Sequence, residues 1–347
     1  MSNSIDLLDP EVILKYGTNV SALDDFERFA QSYLELHDKY DYSMIKRIEE
    51  FPNKVGFIDD IYHFYVLTDS GLIIYETNQE TGIVNEFYRF QTSNKIQNVS
   101  QNPHNPYLFA LLTNGEIVVF NFSTKESQAI NLDKKVTQVS WLSNNSCLVC
   151  LFYDLLMAVI DLGKCQVQTT KTKIESKIDS HFLISHPNHN IAAVCDDQLR
   201  LIDFRESAKI RNFVLKKKAT SISWLPQNYF GCAVGYSDGC IDFFSFDKDS
   251  VVMSQNVISQ PIRGIEFCPT NSCSVSLIVD KDILFVSMPS WGFGSLGKVA
   301  SYKTHLAPIV DAHWISDDVN TSMITCDNDH MVHIFDVPEE YMPIYEP

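Results

Sequence analysis

No run of the chain approaches 18 apolar residues, the length a helix needs to cross a bilayer, so no membrane span is expected. The first residues, MSNSIDLLDPEV, hold neither the basic stretch nor the apolar one that opens a secretory signal. Basic charge is scarce: 27 Lys and Arg stand against 44 Asp and Glu, a formal net charge of −17 over 347 residues. A molecule so acidic repels phosphate backbones, which argues against direct nucleic-acid binding as its main role. Also missing are a Gly-x-Ser-x-Gly elbow, a GxxxxGK phosphate loop, a dinucleotide fingerprint and a kinase signature. No enzyme activity and no cofactor are therefore expected. The nine cysteines are odd in number, and nearly all lie in apolar runs where a thiol behaves as a small hydrophobe. That usage suits a reducing compartment, so the expected location is intracellular, in nucleus, cytoplasm or both.

What the chain does contain is a repeat. An acid or amide, followed three residues later by an apolar position and then by a short apolar strand, recurs seven times. The copies are DSGLIIYE from Asp69, NGEIVVFN from Asn114, DLLMAVID from Asp154, DDQLRLID from Asp196, DGCIDFFS from Asp238, DKDILFVS from Asp280 and DHMVHIFD from Asp329. Their starts are 45, 40, 42, 42, 42 and 49 residues apart. A period of about forty residues belongs to four-stranded blades stacked around an axis. An apolar strand such as HFYVLT, CLVCLFY or FGCAVGYS precedes each copy, and Asp, Asn and Gly at the junction are what a tight hairpin requires. Further upstream come strands ending in an aromatic and a Pro/Asn loop, as in VTQVSWLSNN and ATSISWLPQN. More polar strands such as CQVQTTKT and AKIRNFVL lie between units and suit the outer edge of each blade.

The expectation is an all-β, seven-bladed propeller over residues 43–336, preceded by an N-terminal extension at 1–42 and followed by a tail at 337–347. The first outer strand, SMIKRIEEF at 43–51, has no blade before it and is expected to complete the last blade, whose other strands lie at 307–336. Within the extension, Ser21 and Asp24 have capping-box spacing. Leu23, Phe26, Ala30, Tyr33 and Leu34 make an apolar stripe of helical period. A short amphipathic helix is expected there, packed on the propeller or docked in a partner's groove. The acidic, aromatic tail PEEYMPIYEP reads as extended, either a disordered end or a partner-binding peptide.

The repeat resembles the WD40 family of β-propellers over roughly 290 of the 347 residues. In that family a turn Asp precedes the third strand of each blade and hydrogen-bonds across the turn. The resemblance implies this role for Asp69, Asp154, Asp196, Asp238, Asp280 and Asp329, with Asn114 as a substitute. No Trp-Asp dipeptide closes a third strand; Tyr75, Phe120, Ile160, Ile202, Phe244, Val286 and Phe335 stand where the Trp would be. The Gly-His dipeptide is also absent, and only His305 keeps a histidine at a comparable place.

No metal site is expected. His330 and His333, three apart on a strand, point to opposite faces and cannot chelate one ion together. Cys147 and Cys150 lie in an apolar strand without a second pair, and His181, His186 and His189 lack accompanying cysteines or carboxylates.

Three features look like determinants of binding to other protein subunits. Eleven Lys or Arg residues crowd residues 164–218, among them Lys209, Arg211, Lys216, Lys217 and Lys218, against six acids. They form either a rim belt that docks an acidic segment or a solvated outer strand blunted with Lys. Trp291 and Phe293, between glycines in PSWGFGSLG, suit interface anchors or packing under the propeller's face. IDFR, ending in Arg205, resembles the Trp-Asp-x-Arg motif of propellers that serve as substrate receptors of cullin-type ubiquitin ligases, with Ile202 replacing the Trp. The expected function is a non-catalytic scaffold or adaptor subunit of an intracellular multiprotein complex. The alternative is such a ligase receptor. A phosphoinositide-binding propeller is disfavoured because the Phe-Arg-Arg-Gly motif of that class is missing.

Overall fold

A computed structural model describes residues 42–337, apart from 60–61, 79–82, 144–145, 170–181, 205–208, 227–229, 270–273, 288–298, 304 and 317–320. The helix expected within 1–42 and the tail beyond Val337 lie outside the described residues. What is described is a seven-bladed β-propeller of 28 strands.

In chain order, β1 (Tyr42–Arg47) stands apart from the regular succession. Blade 1 is β2 (Pro52–Phe57), β3 (His63–Thr68), β4 (Gly71–Thr77) and β5 (Val84–Gln91); blade 2 is β6 (Ile96–Asn102), β7 (Asn105–Thr113), β8 (Glu116–Asn121) and β9 (Glu126–Ile130). Blade 3 is β10 (Val136–Trp141), β11 (Cys147–Phe152), β12 (Met157–Asp161) and β13 (Gln166–Thr169); blade 4 is β14 (Phe182–Ser185), β15 (Ile191–Cys195), β16 (Gln198–Asp203) and β17 (Lys209–Val214). Blade 5 is β18 (Ala219–Trp224), β19 (Gly231–Tyr236), β20 (Cys240–Ser245) and β21 (Ser250–Asn256); blade 6 is β22 (Gly264–Phe267), β23 (Ser274–Val279), β24 (Asp282–Ser287) and β25 (Val299–Lys303). Blade 7 takes β26 (Ile309–Ser316), β27 (Thr321–Asp327) and β28 (Met331–Asp336) from the end of the chain and β1 from its beginning.

The second strand of each blade explains the continuous apolar runs. A strand with one wet face alternates, whereas one covered on both faces is apolar throughout. On β27, Met323 packs with blade 6 residues while Ile324 and Cys326 pack with blade 1 residues. The core is accordingly seven apolar wedges, one between each pair of neighbouring blades. The residues at the third-strand position, from Tyr75 to Phe335, are all buried in these wedges. Outer strands show the opposite pattern: all four residues of β13 are exposed.

Polar ties supplement the wedges. The Trp141 indole of blade 3 donates to the Ser100 carbonyl of blade 2 at 2.9 Å, and the Trp314 indole of blade 7 donates to Ser276 Oγ of blade 6 at 2.8 Å. Inner strands of blades 1, 2, 3, 5 and 7 each carry a register shift near their start, as between Ile309 and Asp311. An extra residue there bends the strand and re-aims its side chains.

Ring closure follows the pairing expected from the sequence, with the first strand completing the last blade. β1 runs antiparallel to β28, with Met44 opposite Ile334 and Arg47 opposite Met331. Ile45 enters the wedge toward blade 6, and Met44 and Ile48 enter the wedge toward blade 1.

Candidate functional site

Strands alternate in direction, so turns between second and third strands share one face of the ring with the connections between blades. On this upper face the turn acids divide into two groups. Asp196 Oδ1 accepts the Gln198 amide at 2.8 Å and the Arg200 guanidinium at 2.7 Å. Asp154 Oδ1 accepts from the Leu156 amide at 3.3 Å, and Asp238 Oδ1 from the Cys240 amide at 3.2 Å. The others act differently. Asp69 is exposed and accepts from the Asn53 side-chain amide, with Lys95 paired at 2.7 Å. Asn114 and Asp280 take the left-handed backbone that a tight turn needs, with φ of 48° and 52°. The Asp280 carbonyl accepts the Ile309 amide at 2.7 Å.

In blade 7 the role assigned to Asp329 belongs to Asp327. Asp329 is exposed, and its amide donates to Asp327 Oδ1 at 2.9 Å, as does the Met331 amide at 2.9 Å. The turn itself, residues 328–330, is as long as that of blade 5, and Asp329 holds the place of Asp238 in it; the accepting carboxylate is instead on the last residue of β27.

Asp327 also organises the molecule's most buried polar cluster. His305 Nδ1 lies 2.7 Å from Asp327 Oδ2, His305 Nε2 lies 2.7 Å from Thr325 Oγ1, and the His333 ring stacks on His305 at 3.9 Å. Hydroxyl, imidazole and carboxylate in this order have the geometry of a nucleophile relay. Thr325, Asp327 and His333 are fully buried, however, and a nucleophile needs room for a carbonyl beside it. The cluster ties the connection before β26 to the turn after β27. In blades 3 and 5 a lysine reaches from the equivalent connection: Lys134 pairs with Asp154 at 2.6 Å, and Lys217 pairs with Asp238. Those pairs are solvent-exposed and contribute little.

A second polar cluster lines the central channel. His313 bridges Glu266 of blade 6 at 3.3 Å and Asp311 of blade 7 at 3.2 Å, and Asp311 accepts the Val55 amide of blade 1 at 3.2 Å. The His313 side chain is 35% exposed. Confinement favours the neutral imidazole, but the Asp311 and Glu266 carboxylates more than reverse this and hold the pKa well above its ordinary 6.5. Asp311 moves the other way: burial raises its pKa, and His313, with help from Lys54, brings it below its ordinary value. Beside this cluster a cavity of about 410 Å³ opens between blades 7, 1 and 2, with Lys54, Tyr65, Gln101 and Trp314 in its wall.

Sequence reasoning passed over the channel cluster, although a signal existed. Asp311 and His313 are two apart on an inner strand and so share one of its faces. The raised His313 pKa makes a linked prediction. Its stabilising contribution is complete below 6.5 and lost as pH rises through the folded-state value. The stability difference between wild type and His313→Gln, read from urea midpoints, should be largest at and below pH 6.5 and shrink as pH rises through the folded-state value. A difference independent of pH would show that the histidine acts by packing alone.

The described basic residues differ in their surroundings, while Lys171, Lys173, Lys177 and Arg205 lie outside the described residues. Arg200 is buried against Asp196, and Arg211 on β17 pairs with Asp249 at 3.1 Å. Lys217 pairs with Asp238, which leaves Lys216 and Lys218 exposed on either side. Lys209 begins β17, opposite Asp203. Arg205, Trp291 and Phe293 lie outside the described residues. His186 and His189 approach with rings 4.5 Å apart, but His186 Nδ1 accepts the Asn188 amide at 3.0 Å and its ring packs on Trp224. Among the described residues, no group of three or more His, Cys, Asp or Glu side chains is gathered as a metal ion would require, and no helix is long and apolar enough to cross a membrane.

Comparison with known proteins adds two likenesses. The family described as "Rrn6, beta-propeller" matches residues 26–145, which span blades 1 and 2 and enter blade 3. The solved structure "Structure of U3-55K" is similar in fold, with a TM-score of 0.69 and 10% identity, covering 84% of this chain and 98% of that one. At so low an identity the similarity concerns the fold alone. No curated protein matches the chain.

Proposed function

We propose that the chain is a non-catalytic scaffold subunit, WD40-like in kind, that holds other proteins together in an intracellular complex of nucleus or cytoplasm. The observation that carries this reading is that four of the seven exposed large apolar side chains among the described residues lie on outer strands, the other three, Phe51, Ile83 and Tyr153, lying between strands. Phe87, Val167, Val214 and Val251 sit on the outer strands of blades 1, 3, 4 and 5 and are 52%, 49%, 81% and 39% exposed. Single exposed apolar residues are ordinary. Here they recur on the open sheet edges, where unpaired backbone groups already favour contact with another chain. The two polar clusters tie neighbouring elements of the ring together, which suits a rigid scaffold. His305 before β26, set against the turn acid Asp327, also supports the WD40 kinship.

The exposed Lys216 and Lys218, next to the apolar Val214, suit an acidic partner segment. A variant carrying Lys216→Glu and Lys218→Glu, with Lys217 left to its Asp238 pair, should fold normally. It should lose a defined subset of co-purifying proteins in quantitative mass spectrometry. Raising salt above ~0.1 M should remove the same subset from wild type, because exposed charges are screened over about 10 Å. An unchanged set in both experiments would remove the upper-face lysines from the proposal.

A further inference from the structure

A cluster of aromatic rings at the junction of blades 1 and 2 already holds an ammonium group. Lys125 Nζ lies 3.3 Å from the Phe122 ring centroid, 4.2 Å from that of Tyr88 and 5.2 Å from that of Phe87. Phe87 and Tyr88 both stand near Phe122, at centroid separations of 5.9 and 6.1 Å. Successive strand residues normally point to opposite faces. Here the register of β5 shifts between the partners of Ile74 and Tyr75, leaving Phe87 as the extra residue and turning both rings to one side. Tyr107 stacks on Phe122 from behind, and its hydroxyl donates to Asp59.

Two facts separate this from a casual surface contact. In a chain with a net charge of −17, the Lys125 ammonium has no carboxylate within ion-pair distance among the described residues and lies over rings instead. Partial burial there lowers its pKa, so the rings hold the group at some cost in hydration. The site is also accessible, since Phe87 is half exposed and Lys125 sits on an exposed turn. Its backbone φ of 60° belongs to the turn rather than to the lysine, because Cys165 and Asp249 take the same conformation at the matching turns of blades 3 and 5.

We propose that Phe87, Tyr88 and Phe122 form a receptor for a methylated lysine on a partner protein, and that Lys125 is its resident competitor. Ring faces attract cations, and a quaternary ammonium surrenders far less hydration on entering than a primary one with three N–H donors. A methylated side chain therefore displaces Lys125, whereas an unmodified lysine competes on equal chemical terms against a tethered rival. Asp59 and Glu76, both within 3.6 Å of His63 beside Phe87, supply negative charge around the mouth. This inference rests on the reading of the propeller as a protein-binding module, but it concerns a surface distinct from Lys216 and Lys218.

The test is fluorescence anisotropy of the full chain with a short labelled peptide carrying one trimethyllysine. The comparison probes carry unmodified lysine or the neutral tert-butyl isostere, and phosphatidylcholine vesicles serve as competitor. The trimethyllysine peptide should bind best. Lys125→Ser should tighten it roughly tenfold by vacating the cage, and Phe87→Ala should weaken it by about the same factor while near-ultraviolet circular dichroism confirms an intact fold. Equal binding of the neutral isostere would overturn the cationic reading. An unchanged affinity in Lys125→Ser would overturn the competitor role, and efficient competition by vesicles would assign the cage to a choline headgroup instead. Loss of partners in the Lys216/Lys218 variant is independent of all these outcomes, so the two readings fail separately.

Discussion

Asp327→Ala is expected to destabilise the propeller by about 3–5 kcal/mol, more than any other single change at the turn positions. The carboxylate accepts two backbone amides, those of Asp329 and Met331, and holds His305; the Met331 and His305 contacts are buried and the Asp329 contact partly so. Alanine leaves the Met331 amide and His305 buried without their acceptor, and each such group costs about 1–3 kcal/mol. At roughly 2 °C per kcal/mol for a chain of this size, the melting temperature should fall by about 6–10 °C. Asp238→Ala provides the contrast. That side chain is 41% exposed, and water replaces it at the Cys240 amide, so its melting temperature should stay close to wild type. A small effect at Asp327, or equal effects at both sites, would contradict the roles assigned here.

Deleting the chain through Ile48 should have the largest effect of all. It removes Met44, Ile45 and Ile48, each at most 7% exposed, from the wedges on both sides of blade 7. Truncating a buried side chain of this kind costs about 2–5 kcal/mol. Three together remove about 6–15 kcal/mol, comparable to the whole stability of a typical domain at about 5–15 kcal/mol. The deletion also bares the edge of β28, MVHIFD, whose apolar side chains and unpaired amides template aggregation. Most of the product should be insoluble or elute in the void volume of a sizing column. A deletion ending at Asp41 is the comparison, since it removes the residues before β1 and keeps the strand. Two soluble, monomeric products would mean that β1 is dispensable for closure.

The ring was legible because its strongest signals are local. A turn residue, a two-face-buried strand and a polar edge strand repeat often enough for seven blades to be counted without any contact being known. The same economy explains the misplacement at blade 7. Apolar periodicity locates Met331 and Val332, but the polar residues before them carry no period, so Asp327 and Asp329 could not be told apart. The binding surfaces were harder to read. The run from Lys164 to Lys218 was legible as charge, whereas the buried position of Arg200 and the pairing of Lys217 depend on which strand faces inward and which acid lies across the turn. The ring cluster around Lys125 was invisible for a related reason. Phe87 and Tyr88 share a face only because of a register shift, and nothing in the residues VNEFYRFQ announces one.

The shared blade has a consequence in time. Roughly 280 residues separate β1 from the strand it pairs with. At about 5–20 residues per second, a ribosome needs on the order of 15 to 60 seconds to deliver β28 after β1 has emerged. Throughout that interval six blades can be assembled, but the apolar side of β1 has no native place to go. Whatever shields Met44, Ile45 and Ile48 during synthesis, whether a chaperone or a transient contact with blade 1, acts on the same segment that later locks the ring. A slow codon run or a chaperone defect should therefore show itself first as chains whose last blade never shut.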